Sequence, residues 1–155
     1  MRTKLSDLEI RRALGTLPGW TRKGDLVQKT YSFARFGDGV RFVDQVAAMG
    51  YKLKITEFDV NDREAPADVA VRDHMVADYA KAYLDLMLSY PQLNDMLCWG
   101  MCDRYTWLNG FAPRKDGTRQ RSTPYDVDFR PKLLRQAIAD AFAGAASKAS
   151  PVERG

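Results

Sequence analysis

The chain is poor in the residues that hold metals. It has two cysteines and one histidine in 155 residues. A zinc site needs about four ligands, and Cys98, Cys102 and His74 do not supply them; no metal and no cofactor is implied. Cys98 and Cys102 are spaced i, i+4 within an apolar run and read as two buried free thiols, too far apart along a strand for an easy bridge. No apolar run reaches ~18 residues, so no membrane-spanning helix is expected. The opening Met1-Arg2-Thr3-Lys4 leads into an amphipathic helix and not an apolar signal core, which makes a cytoplasmic chain the default. Positive charge is mild: 24 Lys and Arg against 20 Asp and Glu give +4. The basic residues are spread out, with a loose cluster at Arg114, Lys115, Arg119 and Arg121. A nucleic-acid partner would call for a denser stripe. There is no His-His pair and no internal repeat.

What is present is enough apolar material for a core. Hydrophobic residues make up 45% of the chain, which excludes a disordered tail. The length suits one domain or slightly more and is far short of the roughly 250 residues of a complete eight-fold α/β barrel.

Ser6-Asp7-Leu8-Glu9 is a capping box that opens a helix, and Pro18-Gly19 stops it. Trp20 onward and Leu26–Phe33 pattern as an antiparallel hairpin around a Lys23-Gly24-Asp25 turn. Asp38 is placed to cap a second helix. That helix carries Val40, Phe42, Val43, Val46, Ala47 and Met49 at helical spacing, with Gly50 at its end. Tyr51–Val60 reads as a strand, Asp68–Tyr90 as a long helix, and Asp95–Met101 as a second strand. Residues 109–130 read as loop, and Pro131 suits the first turn of a last helix. The tail from 146 to 155 is small and polar. A right-handed crossover makes the two strands parallel. Their C-terminal ends, Glu57–Asp59 and Trp99–Asp103, then share one edge. Carboxylates at that end of a strand are where α/β barrels do chemistry, so Glu57 is the first candidate for a catalytic role.

Three ordered motifs carry a resemblance: Ile55-Thr56-Glu57-Phe58-Asp59-Val60; Cys98-Trp99-Gly100-Met101-Cys102-Asp103-Arg104-Tyr105-Thr106-Trp107-Leu108; and Pro124-Tyr125-Asp126 with Phe129-Arg130-Pro131-Lys132. From about Arg41 the chain resembles the C-terminal part of a family 10 glycoside hydrolase, the xylanases built on a TIM barrel. The first motif resembles the seventh barrel strand and the second the eighth. The first 45 residues resemble something else. Leu17-Pro18-Gly19-Trp20, Gly24-Asp25-Leu26-Val27 and Tyr31-Ser32-Phe33-Ala34-Arg35-Phe36 look like the start of a pterin-4a-carbinolamine dehydratase. A chimera joined at the helix around 41–50 would explain both.

The expected fold class is therefore α/β, α+β at the N-terminus: helix, hairpin, helix (1–45), then the last two β-α units of a partial barrel (41–145) and a flexible tail (146–155).

The xylanase resemblance implies that Glu57 is the nucleophile of a retaining mechanism and that Trp99 and Trp107 bind sugar, with β-1,4-xylan or xylo-oligosaccharide as partner. Unsupported by a barrel, the two tryptophans read instead as core or interface. A retaining mechanism needs two carboxyl groups roughly 5–5.5 Å apart. The family takes its acid from a fourth strand that has no match here. Asp59 and Asp103 could face the same edge. Removed from its barrel, Glu57 reads alternatively as a solvent-exposed or salt-bridged carboxylate with no role, and a salt bridge from Arg63 or Arg104 would lower its pKa and suit no acid role. The resemblance thus implies an incomplete endo-1,4-β-xylanase with weak turnover at most. The alternatives are a non-catalytic domain whose open β-α-β edge favours a homo-oligomer, and a dehydratase-like protein. The dehydratases use paired histidines, and here His74 reads as a surface residue.

Overall fold

The computed structural model describes residues 4–149. Met1–Thr3, and the part of the expected tail from 150 to 155, lie outside the described residues. The chain divides into two compact units at Gln45–Val46, inside a helix that runs Phe36–Ala48.

In the first unit, α1 (Asp7–Gly15) begins with the expected capping box. The Ser6 N–H and hydroxyl donate to Glu9 Oε2 at 2.8 and 2.6 Å, and the Glu9 N–H donates back to Ser6 Oγ. β1 (Thr21–Lys23) and β2 (Leu26–Gln28) pair antiparallel around Gly24-Asp25, with Lys23 opposite Leu26. Gly24 has φ 63°, a left-handed turn geometry that glycine reaches at no steric cost. The return strand is shorter than its sequence suggests: β1 offers three residues to pair with, and among the described residues Lys29–Phe33 has no partner ladder. α2 (Phe36–Ala48) starts two residues before Asp38. Asp38 therefore lies in the first turn and not at the cap, where it takes charge contacts from Arg35 and Arg41.

The second unit opens on the end of α2. The Gly50 N–H donates to the Ala47 carbonyl and the Tyr51 N–H to that of Val46, with Gly50 at φ 80°. This is a Schellman closure. Met49 is exposed and not core. β3 (Leu53–Phe58) then pairs in parallel with β4 (Leu93–Cys98), Lys54 opposite Asp95 and Phe58 opposite Cys98. The hairpin and this parallel pair are separate sheets. α3 (Val69–Met87) crosses between the strands, capped by Asp68, whose carboxylate accepts from the Val71 N–H. Its buried stripe is Arg72, Val76, Ala77, Ala80, Leu84 and Met87, while Val69 and Tyr79, apolar enough for a core, face out. After β4 come a 3-10 turn (Asp103–Tyr105), a short α4 (Leu108–Phe111) and α5 (Leu133–Ala149). α5 packs on α3 through Leu134, Ala137 and Ala141. It begins two residues after Pro131, which instead bridges to Tyr125, and it runs past 146, where the tail was expected to begin.

Candidate active site

Parallel pairing places the C-terminal ends of β3 and β4 side by side. The Trp99 N–H donates to the Phe58 carbonyl at 3.0 Å and extends the ladder one step past β4. A register irregularity between Ile55 and Phe58 breaks the alternation of β3, so Thr56 and Glu57 are both exposed while Ile55 and Phe58 are buried. The Phe58 ring stacks on Tyr83 of α3 at 6.0 Å.

Glu57 stands at this edge, exposed. The salt bridges to Arg63 and Arg104 do not form among the described residues. Arg63 pairs with Glu64 at 3.5 Å and Arg104 with Asp128 at 3.8 Å. Asp59, two residues on, is partly buried and accepts a hydrogen bond from Trp107 Nε1 at 2.7 Å. Burial pushes its carboxyl above the usual aspartate range. The Trp107 bond opposes that rise and the neighbouring Glu57 charge adds to it. Burial also raises the half-buried Cys98 thiol, with the Asp59 charge contributing. Cys98 and Cys102 are both free, and Cys102 Sγ donates to the Asp126 carbonyl. An open cleft of about 660 Å³ runs along the 59–65 segment to Met75, Val76 and Tyr79 of α3.

Asp103 does not join Glu57 and Asp59. It is buried, 1% exposed. Its carboxylate accepts from Lys132 Nζ at 2.8 and 3.0 Å and from the N–H and hydroxyl of Thr123. The tryptophans differ from the core reading as well. Trp99 is 50% and Trp107 41% exposed. Trp107 is held from two sides, by its bond to Asp59 and by Phe111, whose ring lies 4.6 Å away. Beneath it, Thr106 shares a 2.8 Å hydroxyl bond with buried Ser122. His74 is an exposed residue of α3.

Sequence reasoning missed the polar network that holds this edge. Buried Gln120 accepts from the Asp62 N–H and donates to the carbonyls of Leu108 and Ala112. Arg114 reaches the carbonyls of Asp62 and Ala65. Arg72 Nε lies 3.0 Å from Asp62 Oδ2, a charge contact too bent to be a hydrogen bond, and Asp62 Oδ1 has no hydrogen-bond partner among the described residues. Burial accordingly raises the Asp62 carboxyl. The loose basic cluster therefore includes two structural residues, buried Arg114 and the Arg121 that chelates Asp73 at 2.6 and 2.7 Å. The local signal for it was Arg114-x-Asp116-x-Thr118, whose side chains bond to one another.

Residues 29–141 match the model of glycosyl hydrolase family 10. A thermostable celloxylanase from Thermoclostridium stercorarium is 29% identical over 110 residues, 65% of this chain and 27% of that protein. The solved xylanase 10B of Thermotoga maritima superposes with a TM-score of 0.63 at 22% identity, over 74% of this chain and 34% of that one. At that identity the likeness shows the fold. A different stretch is 47% identical over 47 residues to a putative pterin-4-alpha-carbinolamine dehydratase from Roseiflexus sp. (strain RS-1), 30% of this chain and 50% of that protein. The chain thus spans between a quarter and a half of the relatives it matches.

Proposed function

The chain belongs to glycosyl hydrolase family 10, and from that premise we propose that it contacts β-1,4-xylan or xylo-oligosaccharide and hydrolyses it weakly at most. The observation that carries this reading is Glu57: exposed, without an ion pair among the described residues, and placed at the C-terminal end of a parallel strand beside two exposed tryptophans. Its role is the nucleophile. Its carboxylate attacks the anomeric carbon and the leaving oxygen departs. In a complete retaining site a second carboxyl group protonates that oxygen. Here Asp103 is committed to Lys132, and Asp59 is tied to Trp107 on the same strand end as Glu57. Neither matches the family's acid.

The test separates attack from protonation. A dinitrophenyl β-xyloside releases a phenolate that needs no proton. We expect slow release from it and a xylosyl adduct on Glu57 by mass spectrometry, both abolished in Glu57→Gln. Unactivated xylan should react at least about 10²-fold more slowly, the lower end of what a general acid contributes. Comparable rates on the two substrates would mean that an acid is present. An adduct that persists in Glu57→Gln would remove the nucleophile from the reading.

One observation favours a second reading, self-association. No residue from 4 to 45 is buried, and this unit exposes Leu26 at 72% and Phe36 at 62%.

A further inference from the structure

Phe129 is the one non-glycine residue with a left-handed backbone among the described residues, at φ 62°. Bulky side chains rarely adopt that region, and where they do the surrounding structure must hold them there. The loop that does so is closed on itself. Asp126 Oδ1 accepts from the N–H groups of Asp128 and Arg130, both at 2.9 Å. The Asp126 carbonyl accepts from the Phe129 N–H, and the Asp126 N–H donates to the Arg130 carbonyl. Tyr125 anchors the loop to the segment after β4, by bonds to Met101 and Asp103.

Such strain is usually offset by burial, and here it is not. The Phe129 ring is 56% exposed. Its neighbours are the Tyr105 ring, 6.4 Å away and itself 72% exposed, and the Arg104 guanidinium, 5.3 Å from its centroid. Among the described residues the ion pair of Arg104 is a long 3.8 Å contact to Asp128, which leaves its donors open to a ligand. Tyr105 stands two residues before Trp107.

We propose that Phe129, Tyr105 and Arg104 form a second sugar-binding platform, which takes the distal units of a β-1,4-linked xylose chain whose reacting end lies near Glu57 and Trp107. This rests on the xylan reading above. A pyranose ring offers an apolar C–H face to an aromatic ring and hydroxyl oxygens to a guanidinium. A rigid aromatic loses little freedom on binding such a face, which gives the closed, strained loop a use. A flat patch of two rings and one arginine suits a narrow polymer better than a protein interface of standard size, which buries about 800 Å² per partner.

The experiment is calorimetric titration of the full chain and of Phe129→Gly and Tyr105→Ala with xylotriose and xylohexaose. Xylohexaose should bind the parent more tightly than xylotriose. Each variant should lose about fivefold for xylohexaose, the size of a single aromatic contact, with less than about twofold change for xylotriose. Phe129→Gly should also unfold at an equal or higher denaturant concentration, because glycine reaches φ 62° without strain. A merely structural Phe129 would instead lose stability with no dependence on ligand length. Equal losses for both ligands, or none for xylohexaose, would overturn the platform and leave the xylan reading standing. If neither oligomer binds the parent chain, both fall.

Discussion

Asp59 and Glu57 lie two residues apart and in different surroundings. Glu57 is open to water, whereas Asp59 is partly buried under Trp107. A raised aspartate holds its proton at pH values where the unfolded chain has released it. The stability this group contributes is therefore present below its unfolded value of ~3.9 and is lost as pH climbs through the raised folded value. Asp59→Asn keeps an oxygen acceptor for Trp107 Nε1 and removes the titration. Urea midpoints measured from pH 4 to 7 should show the variant gaining on the parent as pH rises; parallel curves would mean that Asp59 is not raised. At this scale the sequence was legible where a residue's position follows from its place on a strand: Glu57 stands at the C-terminal end of β3. The partners were not legible, because Asp59 and Asp103 look alike in sequence. They are separated only by Lys132 and Thr123, about 20 to 30 residues downstream, which fold back onto one and not the other.

Elements held where they had partners to hold them. The parallel pair and α3 follow from two apolar strands flanking a long helical spacing, and the cap at Ser6 from its capping box; the cap expected at Asp38 is displaced because α2 starts two residues before it. The second strand of the hairpin was overread, since a strand lasts only as long as its neighbour. The 109–130 segment is largely irregular, as its composition implies, but it is not solvated: Gln120, Ser122 and Thr123 are fully buried. Polar residues are buried only when something distant satisfies them, and a linear pattern does not show that. The pair Lys132–Asp103, with side chains 3% and 1% exposed, ties the start of α5 to the turn after β4. Burial pulls the Lys132 ammonium below the usual lysine range, and Asp103 opposes the shift. Lys132→Met strands a buried carboxylate and should cost about 3–5 kcal/mol. Adding Asp103→Asn removes the charge but keeps an acceptor for the Thr123 N–H and hydroxyl, so the double variant should recover more than half of that loss in chemical denaturation. A double variant no more stable than the single would mean that the ion pair is not what the site depends on.

For the whole molecule, apolar pattern and burial part company. The first unit has the periodicity of a core: Leu5, Leu8 and Leu17 around α1, Trp20 and Val27 in the hairpin, Tyr31 and Phe33 before α2. All of them are more than a third exposed. The dehydratase that this stretch resembles is twice as long as the match. The pattern therefore fits burial in a longer fold, and the surface it would bury there is open among the described residues. Forty-odd residues seldom build a core alone. Leu26 at 72% and Phe36 at 62% exposed add to these. Apolar side chains left open in a unit with no buried residue among those described suit an interaction surface, and a second copy of the chain is the partner always at hand. Sedimentation equilibrium should show concentration-dependent association. Leu26→Lys with Phe36→Lys should weaken it by at least about tenfold, since two desolvated anchors of this size carry more than 1.4 kcal/mol together, with helicity by circular dichroism unchanged. A single monomeric species at the highest concentration reached would leave this face without the partner argued for it.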